Sequence, residues 1–185
     1  MVSYILLLLP LLTQASAFSN SRCPEGWVDA STLGMGCLHL LQQPLDWESA
    51  EALCKVMGGA HLVEIDNPDQ LAFLQQGLNF VDGTSWVSHH YWWTAANDRD
   101  LEGDWVWSNS DFVVQDFLWA SDQPNNCPPS TIGVCSGDEN CGALVSPGGD
   151  MAEYKMVDIG CDLSVVHNHH APSYDIYSVC QINDY

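Results

Sequence analysis

Eight cysteines follow an apolar amino-terminal run, and that pairing constrains this chain more than any other feature. The run Ile5 to Leu12 ends on Ala15-Ser16-Ala17, the small-x-small pattern read by a signal peptidase, so residues 1–17 read as a signal peptide and 18–185 as the exported domain. The run is too short to span a bilayer comfortably, and no later stretch of about 18 apolar residues replaces it; a retained anchor is the alternative reading. Cys23, Cys37, Cys54, Cys127, Cys135, Cys141, Cys161 and Cys180 therefore meet an oxidising compartment. An even count there reads as a disulfide framework, although arithmetic alone permits on the order of a hundred connectivities. No C-x-x-C pair suggests zinc.

The formal charge is −20, from 24 acidic residues against Arg22, Lys55, Arg99 and Lys155. Such a surface repels nucleic acid and anionic membrane, because both need Lys and Arg to neutralise phosphate. It accommodates divalent cations.

Asp46 to Met57 carries Trp47, Ala50, Leu53, Cys54 and Met57 at helical spacing, with Asp46 as cap and Gly58-Gly59 as stop. Leu62 to Ile65 reads as a short alternating strand. Asp66-Asn67-Pro68 opens a second helix whose inner face is Leu71, Phe73, Leu74 and Leu78. Beyond Trp86 the texture turns β-prone: Tyr91 to Ala95, Asp104 to Trp107, Cys141 to Val145, Tyr154 to Ile159 and Tyr177 to Ile182 read as strands. A stretch rich in Pro, Asn, Ser and Gly separates Phe117 from Asp138. Helices first and strands afterwards give an α+β order in one domain.

These segments together resemble the C-type lectin-like domain. Cys23-Pro-Glu-Gly-Trp27 with Cys37 is similar to that family's amino-terminal hairpin bridge. Trp92-Trp93-Thr-Ala-Ala with Glu102-Gly103-Asp104-Trp105-Val106-Trp107 is similar to its tryptophan-rich segment. The likeness runs from about Cys23 to Ile182. It implies two helices packed on antiparallel sheets, a long loop region, and the bridges Cys23–Cys37, Cys54–Cys180 and Cys141–Cys161. Cys127 and Cys135 are then left for each other.

Gln123-Pro124-Asn125 falls where the family carries its sugar-selecting tripeptide, with a proline held cis. The resemblance implies that Gln123, Asn125, Glu139 and Asp158 bind both calcium and sugar. Calcium takes several oxygen ligands, and two sugar hydroxyls can complete its shell. Each hydroxyl also donates to a carboxylate and accepts from an amide, so side chains that meet both fix the orientation. The family's Trp-Asn-Asp reads Met156-Val157-Asp158 here, which removes one amide ligand and implies weak calcium affinity.

Asp98-x-Asp100-x-Glu102-Gly103 imitates the start of an EF-hand loop, but its twelfth position is Asn109, and a hairpin turn is the better reading. His167-Asn168-His169-His170 has no companion ligand at zinc spacing and reads as a solvated loop. Neither G-x-S-x-G nor H-E-x-x-H occurs, so no enzyme is expected. The resemblance implies a secreted, calcium-dependent lectin of innate immunity that binds microbial glycans, with homo-oligomerisation open. The alternatives are a calcium-independent domain that binds a protein, for which Val157 speaks, and an acidic mineral or matrix binder, for which only the charge speaks.

Overall fold

The computed structural model describes residues 22–82, 90–126, 138–146, 153–166 and 174–183. The leader, the Cys127–Cys135 pairing and the His167–His170 segment lie outside the described residues.

Val28–Asp29 (β1) and Cys37–Leu41 (β2) form an antiparallel pair at the start of the chain. Gly36, at φ +60°, precedes β2 where a Cβ would sit 1.9 Å from the carbonyl oxygen of Ile182, so only glycine fits. Trp47–Val56 (α1) starts where expected: Asp46 accepts from the Ser49 amide at 2.8 Å, and its second oxygen accepts from the Ser49 hydroxyl at 2.9 Å. Trp47, Ala50 and Cys54 face inward, and Gly58 and Gly59, both at positive φ, end the helix. His61–Leu62 (β3) is shorter than the strand read from the sequence. Leu62, Val63, Glu64 and Ile65 are all buried, so the alternation in sequence does not correspond to an exposed face. Glu64 instead accepts from the amides of Asn109 and Ser110 at 3.2 and 3.0 Å.

Pro68–Asp82 (α2) is capped by Asn67, whose Oδ1 accepts from the amides of Asp69 and Gln70. Gln70 Oε1 also accepts from the amide of Asp66, the residue before the cap, at 2.7 Å. Leu71, Leu74 and Leu78 are buried and Phe73 packs at their margin, as the spacing predicts.

Among the described residues six further strands follow: Tyr91–Asn97 (β4), Val106–Trp107 (β5), Cys141–Val145 (β6), Lys155–Ile159 (β7), Val165–Val166 (β8) and Tyr174–Ile182 (β9). The sheet runs β1-β2-β9-β4-β6-β7, with β3 and β8 also on β9 and β5 on β4. All pairings are antiparallel except β4 with β9, so the sheet is mixed rather than wholly antiparallel. The exception follows from connectivity: the last strand inserts between the first long strand and the centre.

Trp92, Trp93 and Trp107 are fully buried, which makes the tryptophan-rich segment core rather than a binding platform. Trp47 and Trp93 satisfy their indole N–H groups on the carbonyls of Thr94 and Leu45 at 2.8 and 2.9 Å, locking α1 and its lead-in onto β4.

The bridges Cys23–Cys37, Cys54–Cys180 and Cys141–Cys161 form as the resemblance implies. They close loops of 14, 126 and 20 residues. Chain-entropy reasoning then ranks Cys54–Cys180 first, at about 5 kcal/mol against roughly 3 kcal/mol for either short loop. Paired Cys→Ala variants compared by urea unfolding should reproduce that order. A larger loss on removing Cys23–Cys37 would contradict it.

Candidate functional site

The segment from Trp119 to Asn126 is held along β7 by successive ties. The Ala120 amide donates to the Met156 carbonyl at 2.9 Å, and Trp119 forms a bridge with Met156. Farther along, Asp158 Oδ2 accepts from the amides of Asn125 and Asn126 at 2.8 and 2.6 Å. The Asp158 amide faces Gln123 Oε1 at 3.5 Å, and Gln123-Pro124 is cis, as the resemblance implies. Asp122 and Asn126 sit at positive φ at the two ends of this turn, a conformation that Asp and Asn tolerate better than most side chains.

Gln123, Asn125 and Asp158 are thus brought into direct contact. Glu139 joins them through Asn126, whose Oδ1 accepts from the Glu139 amide at 3.0 Å. Asp158 lies opposite Gly142 in the β6–β7 register, so the sheet itself aims it at the loop. It is 3% exposed, and its Oδ1 has no hydrogen-bond partner. Val157, opposite Ala143, packs against the core and contributes no oxygen.

The structure adds residues that sequence reasoning left out. Asp98, directly after β4, is 3% exposed; its Oδ2 accepts from the Gly103 amide at 2.8 Å and its Oδ1 has no partner. Burial pushes the Asp98 carboxyl above its ordinary value, the Gly103 amide opposes this, and nearby Asp158 adds to it. Glu102 is also raised, by lost solvation and then by Asp98, with Asp138 and Asp158 contributing, while a hydrogen bond from Asn126 opposes the shift. Asn140 Oδ1 is a third buried oxygen without a partner. The segment Asp98 to Gly103 is a turn, as read from the sequence, but two of its carboxylates belong to the acidic group around Asp158. The signal was Asp98-x-x-x-Glu102 directly after a buried strand; the EF-hand comparison discarded it at Asn109.

Among the described residues, the four Lys and Arg side chains lie elsewhere: Arg99 pairs with Glu48, Lys55 with Glu51, Lys155 donates to the Phe117 carbonyl, and Arg22 acts on Asp29. Buried carboxylates without a cation are costly, and a divalent ion removes that cost. Orphaned oxygens on Asp158, Asp98 and Asn140 fit such an ion chemically. No three His, Cys, Asp or Glu side chains among the described residues converge as a ligand group, however, so amide oxygens would have to supply part of any shell.

The family model described as Lectin C-type domain matches residues 43–162. Lectin BRA-3 of Megabalanus rosa is 30% identical over 139 residues, covering 74% of this chain and 79% of that protein. The galactose-specific lectin nattectin of Thalassophryne nattereri is 30% identical over 113 residues, 60% of this chain and 65% of that one. Among solved structures, the mouse scavenger receptor C-type lectin carbohydrate-recognition domain superposes with a TM-score of 0.62 at 18% identity, covering 88% of this chain and 99% of that one. This family and fold are generally those of non-enzymatic binding domains, and they generally bind calcium.

Asp98→Asn keeps an acceptor for Gly103 and removes one charge from the acidic group. The folded carboxyl holds its proton more tightly than the unfolded one, so the native state binds more protons in the window above the ordinary value of 3.8. Asp98 therefore lowers stability as pH rises through that window. In calcium-free buffer the variant should unfold at higher urea than the parent at about pH 7, with the gap closing near about pH 3. Equal midpoints throughout would contradict the placement of Asp98 among like charges.

Proposed function

The chain belongs to the C-type lectin domain family, and from that premise we propose that it is a secreted lectin that recognises microbial glycans through calcium. The observation that carries this reading is the wrapping of Gln123-Pro124-Asn125 around Asp158, which leaves a buried carboxylate oxygen without a partner beside the exposed Asn125. Gln123, Asn125, Glu139 and Asp158 would hold the ion and the sugar together. Bound calcium offers two coordination places to neighbouring sugar hydroxyls. The chain's own side chains then orient the sugar: carboxylates accept from its hydroxyls, and the amides of Gln123 and Asn125 both donate and accept. The backbone amides of Asn125 and Asn126 hold Asp158 Oδ2 against the loop.

A second reading, calcium-independent recognition of a protein, is favoured by Val157 and by the lack of a converged acidic ligand group among the described residues. Calorimetry separates the two. The first reading expects a calcium dissociation constant on the order of 10⁻⁴–10⁻³ M. Val157→Asn should tighten it several-fold, and Asp158→Ala should abolish it. No heat in millimolar calcium, from the native protein and Val157→Asn alike, would leave the second reading standing.

Gln123-Pro124-Asn125 combines the first residue of the galactose-type motif with the last of the mannose-type motif. Two amides blur the asymmetry that selects equatorial or axial hydroxyls, because each can turn over to suit the ligand. The expected outcome is broad, weak binding of both sugar types, made useful by dense microbial arrays or by self-association of the lectin. Gln123→Glu should shift competition by free monosaccharides towards mannose, and Asn125→Asp towards galactose. Strict selectivity unchanged by both substitutions would show that these side chains do not read the sugar.

A further inference from the structure

Asp98 serves the acidic site, but its neighbours in the chain serve a different concavity. Asn97, Arg99 and Asp100 line a solvent-open cleft of about 350 Å³ together with Trp47, Ser108 and Asp111. None of these belongs to the group around Asp158. The volume suits one or two sugar rings, at the small end of ligand pockets.

The walls are fixed before any ligand arrives. On one side Arg99 pairs with Glu48 and lies over the Trp47 ring, its guanidinium carbon 5.5 Å from the centroid. Trp47 in turn is anchored by its indole N–H on Thr94. On the other side the Ser108–Asp111 loop is pinned by the buried carboxylate of Glu64, which accepts from the Asn109 and Ser110 amides. The Asp111 amide closes that loop on the Trp107 carbonyl at 2.9 Å. Asn97 donates its amide hydrogens to the carbonyls of Ala95 and Val106, which leaves its Oδ1 as an acceptor.

We propose that this cleft is a second, calcium-independent saccharide subsite that favours an amine-bearing sugar. Ring hydroxyls can donate to Asp100, Asp111 and Asn97 Oδ1 and accept from Ser108 and Arg99. Glu48 offsets the charge of Arg99, so Asp100 and Asp111 remain uncompensated. They attract an ammonium group and repel the carboxylate of an acidic sugar. The choice of saccharide as ligand class rests on the proposed lectin function, whereas the location does not.

The test is a titration of the ¹⁵N-labelled protein in excess EDTA with glucosamine, N-acetylglucosamine and N-acetylneuraminic acid. Saturable amide shifts are expected at Asn97, Arg99, Ser108 and Asp111, with glucosamine binding on the order of 10⁻³ M and the acidic sugar weakest. Asp100→Asn with Asp111→Asn exchanges two exposed carboxylates for amides, and Asn tolerates the positive φ of Asp111. The double variant should weaken glucosamine about fivefold and leave N-acetylglucosamine nearly unchanged. Absent shifts at these residues, or equal affinity for the acidic sugar, would overturn the proposal. With the titration repeated in millimolar calcium, shifts at Asn125 and Asp158 and none in the cleft under either condition would overturn it while upholding the lectin reading. Cleft shifts in EDTA from a protein that takes up no calcium would uphold it and overturn the calcium reading.

Discussion

The fold hangs on the last long strand. β9 takes β2 and β4 as its neighbours in the sheet, pairs with β3 and β8 along parts of its length, and is bridged through Cys180 to α1. One strand thus fixes the position of the amino-terminal hairpin, the first helix and the centre of the sheet. Its parallel pairing with β4 sets β4, which in turn sets β6 and β7 by antiparallel register. Asp158 inherits its place from that chain of registers. A slip of one residue at β7 would turn it to the other face and leave the loop from Trp119 to Asn126 without its anchor.

The sheet positions the acidic group around Asp158. A carboxylate on β7 satisfies two loop amides with one oxygen and keeps the other unpartnered, while Asp98 and Asn140 present further buried oxygens without partners. With 24 acidic residues and four Lys and Arg in the whole chain, and those four placed elsewhere, little among the described residues can neutralise this group. Such an arrangement is less stable alone than with a cation. The binding reading and the predicted gain from Asp98→Asn rest on that single electrostatic fact. They respond oppositely to calcium, which should erase the advantage of the variant.

Local chemistry was legible in the sequence, and long-range satisfaction was not. Asp46 and Asn67-Pro68 begin their helices as read, because a cap depends on residues two or three positions away. Both tryptophan pairs are core. Three bridges follow the family resemblance, which supplied what spacing alone left open. Leu62 to Ile65 was read as a short alternating strand, yet Glu64 is buried with its neighbours and accepts from loop amides 45 and 46 residues away. Asn126 was passed over for the same reason: its role appears only when Glu102, Glu139 and Asp158 surround it. The parallel β4–β9 pairing has no local signature either, since it depends on which distant strands meet rather than on any strand's composition.

The central claim is that glycans are recognised through a calcium ion held beside Asp158. A glycan array of mannose- and galactose-terminated ligands, read once in millimolar calcium and once in chelator, tests it most directly. The account predicts signal on dense ligands of both types in calcium and its loss in chelator. Equal signal in the two conditions, or none in either, would contradict it.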